Sequence, residues 1–319
     1  MQTSVFCLVL STFLNILLLF LLTKTKKQIG SYRYFLTLYS CFLMSFNFLD
    51  FLMFPAVHIY KNGFIYFATS NLRYRPFGII LAGLQSWSQG LYMTLLSINF
   101  VYRYSIIHNY GCGMYWYIWP IVAAGLMFVW GCADIFLVLP CDLFDWYFSV
   151  LEKYGIDILE SGYYAITYFV ENAQTGKEEY YWPSIFRLGL FFVFQSITSF
   201  LIETCGYSLY KKVKDASNFS SGVMAKVHKD LFWTLVLQTI TPCLMVYVPG
   251  FILVIAPFLD IDVNKIKIEE IQPLSISIFP IIDTCIILIF FRGFRVAFMK
   301  LLWKTPTTIS NSVRLQHIT

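Results

Sequence analysis

Residues 77–107 read FGIILAGLQSWSQGLYMTLLSINFVYRYSII, an apolar run that opens behind Arg75-Pro76 and ends in Asn99-Phe100-Val101-Tyr102-Arg103-Tyr104. Its polar members Gln85, Gln89, Tyr92, Asn99 and Arg103 recur at helical spacing and share one stripe. In hydrocarbon, every uncompensated polar group is costly, so such a stripe survives only when other protein covers it. The run is therefore expected to be the central helix of a membrane bundle. Its stripe turns inward, and Arg103 stands at its membrane-exit end.

The rest of the chain agrees with that reading. Of 319 residues, 58% are hydrophobic and 13% charged, with a mean hydropathy of +0.65; a soluble domain carries about 25% charged residues. The net charge of +5 needs no nucleic-acid partner, because the basic residues lie between apolar runs as topology signals do. Eight cysteines show neither CxxC nor metal-ligand spacing, so no metal and no cofactor is expected. Most of them (Cys7, Cys41, Cys132, Cys205, Cys243 and Cys285) sit inside apolar runs, as small core residues do.

Seven runs are long enough to span a bilayer, which takes about 20 residues each. They cover about 5–22, 34–60, 77–107, 115–139, 183–210, 231–259 and 271–291. The first is followed, not preceded, by positive charge (Lys24, Lys26, Lys27), which reads as a retained helix and not a signal peptide. A polar segment, 141–182, separates the fourth and fifth runs. The tail, 294–319, begins as an amphipathic helix: Phe294, Val296, Ala297, Leu301, Leu302 and Trp303 alternate with Arg295, Lys300 and Lys304. The fold class expected is an all-α seven-transmembrane bundle in one receptor-type domain, followed by a short amphipathic helix against membrane lipid.

Basic residues orient it. With the amino terminus outside, 15 lysines and arginines face the cytoplasm and seven the other side. Arg73-Tyr74-Arg75 opposes this locally, and the only N-x-S/T sequon, Asn218-Phe219-Ser220, falls on the cytoplasmic side.

Ionisable residues within the runs are few: Asp50, Asp134, Arg187, Glu203 and Asp283, with Arg103 at a run end. Each costs about 2.5–3.5 kcal/mol at mid-membrane on insertion scales, which makes function the default reading. Arg187 and Asp134 lie near outer ends and serve equally well as interfacial positions. Asp50, Glu203 and Asp283 form the expected intramembrane polar switch. Gln85, Gln89 and Tyr92 are expected to line a ligand pocket in the outer half of the bundle, although the two glutamines would serve equally to bond neighbouring helices. Pro242, Pro249, Pro257, Pro273 and Pro280 punctuate the sixth and seventh runs, and Pro55 the second; half such prolines are simple packing features, the other half hinges. The four histidines are scattered, and HExxH, GxSxG, Walker A and GxGxxG patterns are absent, so no enzyme is expected.

Pro55-Ala56-Val57-His58-Ile59-Tyr60, Tyr102-Arg103-Tyr104, Lys229-Asp230-Leu231-Phe232 with Leu237-Gln238-Thr239-Ile240-Thr241-Pro242, and Phe279-Pro280-Ile281-Ile282-Asp283 with Phe291-Arg292 occur in order along nearly the whole chain. In these the chain resembles the nematode Str-type seven-transmembrane chemoreceptors, the superfamily that includes the Str and Srj groups. The resemblance implies a G-protein-coupled chemosensory receptor in the plasma membrane, of sensory-neuron cilia in such families, that binds a small molecule, volatile ones included. It implies that Arg103, flanked by Tyr102 and Tyr104, faces a heterotrimeric G protein, and that Asp283 is the seventh-helix acid used in activation; the basic residues Lys211, Lys212 and Lys214 are expected to meet the G protein as well. Two departures from the wider rhodopsin-like pattern stand out. Tyr102 occupies the place of the acid that ordinarily precedes the arginine, and the top of the third run has no cysteine to pair with Cys141. Two other functions fit seven spans: a ligand-gated channel subunit of opposite topology, and a transporter, although no internal repeat supports the latter.

Overall fold

Backbone groups in lipid find partners only within their own segment, so the long apolar runs are helical. The computed structural model describes residues 2–25, 32–60, 63–107, 121, 125, 150–158, 160–171, 176–219, 223–259 and 267–302. Apart from residues 121 and 125, the expected fourth run with Cys132 and Asp134, together with Cys141 and the tail beyond 302, lies outside the described residues.

The helices are α1 (Gln2–Lys24), α2 (Tyr32–Met53), α3 (Phe77–Ile107), α4 (Trp182–Phe219), α5 (Val223–Pro242), α6 (Val248–Leu259), α7 (Ile268–Phe290) and α8 (Arg292–Leu302). Five segments are long and apolar enough to cross a membrane: α1, α2, the first 34 residues of α4, the continuous Lys229–Ala256 stretch of α5 and α6, and α7. The 31-residue α3 is not among them. Its stripe lowers its hydropathy, and packing between α2 and α4 replaces the lipid contact it lacks. Polar contacts fasten the first pair: Ser40 Oγ donates to Asn15 Oδ1 at 2.7 Å, and Asn15 Nδ2 to the Ser11 carbonyl at 2.9 Å. Helix α8 packs on α1 and α7 through Phe294, which is buried.

One expected boundary is corrected. The second run does not continue as helix to Tyr60; α2 stops at Met53, and β1 (Pro55–Tyr60) begins. Proline disfavours the α region for the residue before it, and Phe54 turns to φ 45°, in the left-handed region where helices end. Pro55 thus terminates this helix instead of kinking it.

Strand β1 pairs antiparallel with β2 (Gly63–Ala68), and β2 with β3 (Tyr163–Thr167); β4 (Phe169–Glu171) pairs with β5 (Glu178–Tyr180). These strands cap the outer end of the helical bundle. Period-two alternation divides β2 between two cores. Phe64, Tyr66 and Ala68 face the bundle with Leu81, Leu253 and Ile268, whereas Ile65 and Phe67 face Val150, Ile156 and Ile158.

The cap is also tied to the top of α3, where the sequence offers no cysteine. Gly162 N–H donates to the Arg73 carbonyl at 2.6 Å, and Arg75 N–H to the Glu160 carbonyl at 3.1 Å. Glycine is required here: a Cβ on Gly162 would lie 2.0 Å from Ile79 N, and one on Gly78 2.1 Å from the Arg73 carbonyl. Close backbone approach holds this loop in place.

Candidate functional site

Under the cap lies a cavity of about 490 Å³, inside the range of about 300–1,000 Å³ common for small-molecule sites. Helices α3, α4, α6 and α7, the π-helical turn Cys243–Tyr247, and strands β2 and β3 all contribute walls. The walls are mostly aromatic and aliphatic, with Gln89, Gln195 and Gln272 as polar points and Arg187 as the cation. Arg187 is buried, its guanidinium carbon 3.9 Å from the centre of the Tyr164 ring.

Beneath the cavity, two acids organise the polar core. Asp50 accepts from Ser277 Oγ at 2.5 Å and, more loosely, from Gln85 Nε2 at 3.5 Å, joining α2, α7 and α3. Asp283, fully buried on α7, accepts from the Tyr39 hydroxyl of α2 and from Gln238 Nε2 of α5 at 3.1 Å. The Tyr92 hydroxyl of α3 lies 3.2 Å from the Gln238 carbonyl and 3.5 Å from Asp283 Oδ1.

That first contact has a local cause. Pro242 has no N–H to give to the carbonyl four residues earlier, and its ring crowds that carbonyl. The Gln238 carbonyl is therefore left for a side-chain donor, which Tyr92 supplies. The helix then widens into the π turn Cys243–Tyr247 before resuming as α6. Cys243, Val246 and Tyr247 of this turn line the cavity.

At the inner end, Arg103 is buried. Its Nε donates to Asn99 Oδ1 at 3.3 Å, and its guanidinium carbon sits 4.1 Å from the centre of the Tyr32 ring. Tyr102 stacks on Tyr32 and Phe35, so the position before the arginine is filled by packing and not by charge. Tyr104 is half-buried, and Lys211, Lys212 and Lys214 are exposed on the inner end of α4.

The structure thus divides the residues expected from sequence. Gln89 lines the cavity, but Gln85 and Tyr92 turn away from it to serve Asp50 and Asp283. Asp50 and Asp283 are both core acids; Glu203 is corrected out of that set, since it is exposed on α4. It lies 21 residues beyond Trp182, so at 1.5 Å per residue it has descended about 31 Å, roughly the hydrocarbon thickness. Tyr39, Gln238, Ser277 and Arg187 carry more of the arrangement than the sequence indicated. The Gln238–Pro242 spacing was a readable signal for the orphaned carbonyl.

Glu269, at the start of α7, fastens the cap. Its Oε1 accepts the Ile59 N–H of edge strand β1 at 2.6 Å and lies 3.2 Å from His58 Nδ1, while Lys153 pairs with Oε2. Tyr154 donates to the Val57 carbonyl at 3.2 Å; burial and the nearby Glu269 carboxylate push its phenol up, so it remains a donor. Glu269→Ala removes the acceptor of the Ile59 N–H and of Lys153 and the charge beside His58. Charged hydrogen bonds contribute about 1.5–3 kcal/mol, less here because Lys153 is nearly half exposed. Hydrogen exchange at residues 55–68 is expected to accelerate about tenfold, with exchange in α1 unchanged. Unchanged protection of β1 would refute the clamp.

Comparison with known proteins follows the same lines. Residues 1–299 match the family model described as the serpentine type 7TM GPCR chemoreceptor Str. The chain is 24% identical over 306 residues to serpentine receptor class r-10 of Caenorhabditis elegans, covering 93% of this chain and 89% of that one. It is 23% identical over 300 residues to the G-protein coupled receptor str-33 of the same organism, covering 90% and 86%. Squid rhodopsin superposes with a TM-score of 0.61 at 11% identity, covering 94% of this chain and 83% of its own, which establishes the seven-helix fold. Nothing in these matches supports the channel or transporter alternatives. An integral membrane chain with this helical order, this polar core and a family match along nearly its whole length belongs to the Str family of serpentine seven-transmembrane G-protein-coupled chemoreceptors.

Proposed function

We propose that this receptor works in the plasma membrane, binds its small-molecule ligand in the cavity under the cap, and relays occupancy through the sixth span to a heterotrimeric G protein. The G protein meets the inner end at Arg103, flanked by Tyr102 and Tyr104, and at Lys211, Lys212 and Lys214. One observation carries the reading: the π turn Cys243–Tyr247 lines the cavity and directly continues the helix whose Gln238 bonds Asp283. A ligand pressing on the turn therefore acts on a helix that the Gln238–Asp283 contact holds in place. A π turn next to a proline interrupts the regular α-helical ladder, which suits a hinge between two packings.

A ligand shifts such an equilibrium only by its differential affinity for the two states. The test removes a contact of the resting state. Gln238→Leu gives up a buried hydrogen bond of about 1 kcal/mol, which raises the active population about fivefold. Ligand-independent G-protein activation at matched surface expression is expected to rise by that factor. A basal signal equal to wild type, at equal expression, would mean that this contact does not restrain the resting state.

A further inference from the structure

We propose that the cavity selects ligands with an anionic head on an apolar body, and that Arg187 is the residue that recognises the head. This rests on the reading of the cavity as the ligand site. Among the described residues lining the cavity, Arg187 is the only charged one. It is buried in the outer part of α4, five residues past Trp182, where its charge borders the mostly apolar wall of the cavity. Tyr164 of β3 holds it from one side, the guanidinium carbon 3.9 Å above the ring centre. The N–H donors of a guanidinium lie in its own plane, in a fork that matches a carboxylate.

The remaining walls complete the selection. Phe64, Leu188, Phe191, Phe194 and Phe251 provide apolar surface for a hydrocarbon or aromatic body. Gln89, Gln195 and Gln272 offer neutral hydrogen bonds that suit a further hydroxyl or carbonyl. An amine would meet a cation and, among the described walls, no acid. A carboxylate would meet a charge-assisted, bidentate donor in a site walled mostly by carbon, where such a bond is strongest.

The experiment uses the full-length receptor purified in detergent and four probes of one chain length: octanoate, methyl octanoate, octanol and octylamine. Thermal stabilisation is titrated at about pH 7.5, where the acid is ionised. Octanoate is expected to stabilise the wild type at about tenfold lower concentration than its methyl ester, a difference of about 1.4 kcal/mol. Arg187→Gln should erase that preference, and Arg187→Lys should retain part of it. Equal potency of acid and ester on the wild type, preference for the amine, or no stabilisation by any probe would overturn the proposal. So would an undiminished acid preference in Arg187→Gln. If Arg187→Gln does not fold, the wild-type comparison and Arg187→Lys decide. The receptor reading fails separately: octanoate that binds through Arg187 without changing G-protein activation would remove the signalling role and leave the anion site standing.

Discussion

Asp283→Leu is expected to lower the melting temperature of the purified receptor by about 5–10 °C. The carboxylate accepts from Tyr39 and from Gln238, groups that belong to α2 and α5, and nothing of solvent reaches it. Leucine fills a similar volume but leaves two buried donors without that acceptor, at about 1–3 kcal/mol each. Part of the loss is recovered, because Tyr39 also lies 3.2 Å from the Tyr92 hydroxyl and donates there instead. A net cost of about 2–4 kcal/mol remains, and each kcal/mol moves the midpoint by about 2–4 °C in a chain of this order of size. Asp283→Asn keeps one acceptor oxygen and should cost about half as much. The decisive control is a double-mutant cycle with Tyr39→Phe. Removing donor and acceptor together should be less costly than the sum of the single changes by about 1 kcal/mol. Additive losses would mean that the two residues stabilise the bundle independently, and the network would have to be abandoned as a unit.

At the inner end, Arg103→Ala is expected to reduce ligand-driven G-protein activation by about tenfold or more while ligand binding in the cavity stays within about twofold, as expected for sites coupled by less than about 0.5 kcal/mol. The proposed role of Arg103 demands this separation, because its side chain stands at the far end of α3 from the cavity-lining Gln89. Among the described residues its resting partners are Asn99 and the face of Tyr32, with no carboxylate in contact. A cation on an aromatic face contributes about 0.5–2 kcal/mol, a weaker hold than a buried ion pair, whose breaking costs about 3–5 kcal/mol. The arginine is therefore held lightly. Tyr32→Leu should release it and raise basal signalling about fivefold, the shift that about 1 kcal/mol produces. If Arg103→Ala signals normally at normal surface expression, the G protein does not use this residue, and the lysines of α4 become the contact to test.

Much of this protein is legible from its residues alone, because lipid is a severe solvent. A backbone in hydrocarbon must close its own hydrogen bonds, so most of the described apolar length is helical, with Pro55–Tyr60 the exception. The polar stripe of α3 and the acids Asp50 and Asp283 follow from the same rule, and Gln85, Tyr92 and both acids are buried within the bundle. The outer cap was less visible. Asn62-Gly63 between Val57-His58-Ile59-Tyr60 and Phe64-Ile65-Tyr66-Phe67 is a hairpin pattern, but beside a long apolar run it reads as more helix until Pro55 is taken as a stop.

Contacts between segments distant in sequence belong to the tertiary structure. Periodicity places Gln85, Gln89 and Tyr92 on one face, and only packing decides that Gln89 meets the cavity while Gln85 and Tyr92 meet acids on other helices. Glu203 shows the same division, since hydropathy counts it within a span and packing leaves it exposed on α4. Length and hydropathy indicate the long helices, because those depend on each segment's exchange with lipid and water. Which side chains share a cavity or a hydrogen bond depends on the rotation and offset of helices against one another. That is set by close packing across the bundle, which no single run of sequence contains.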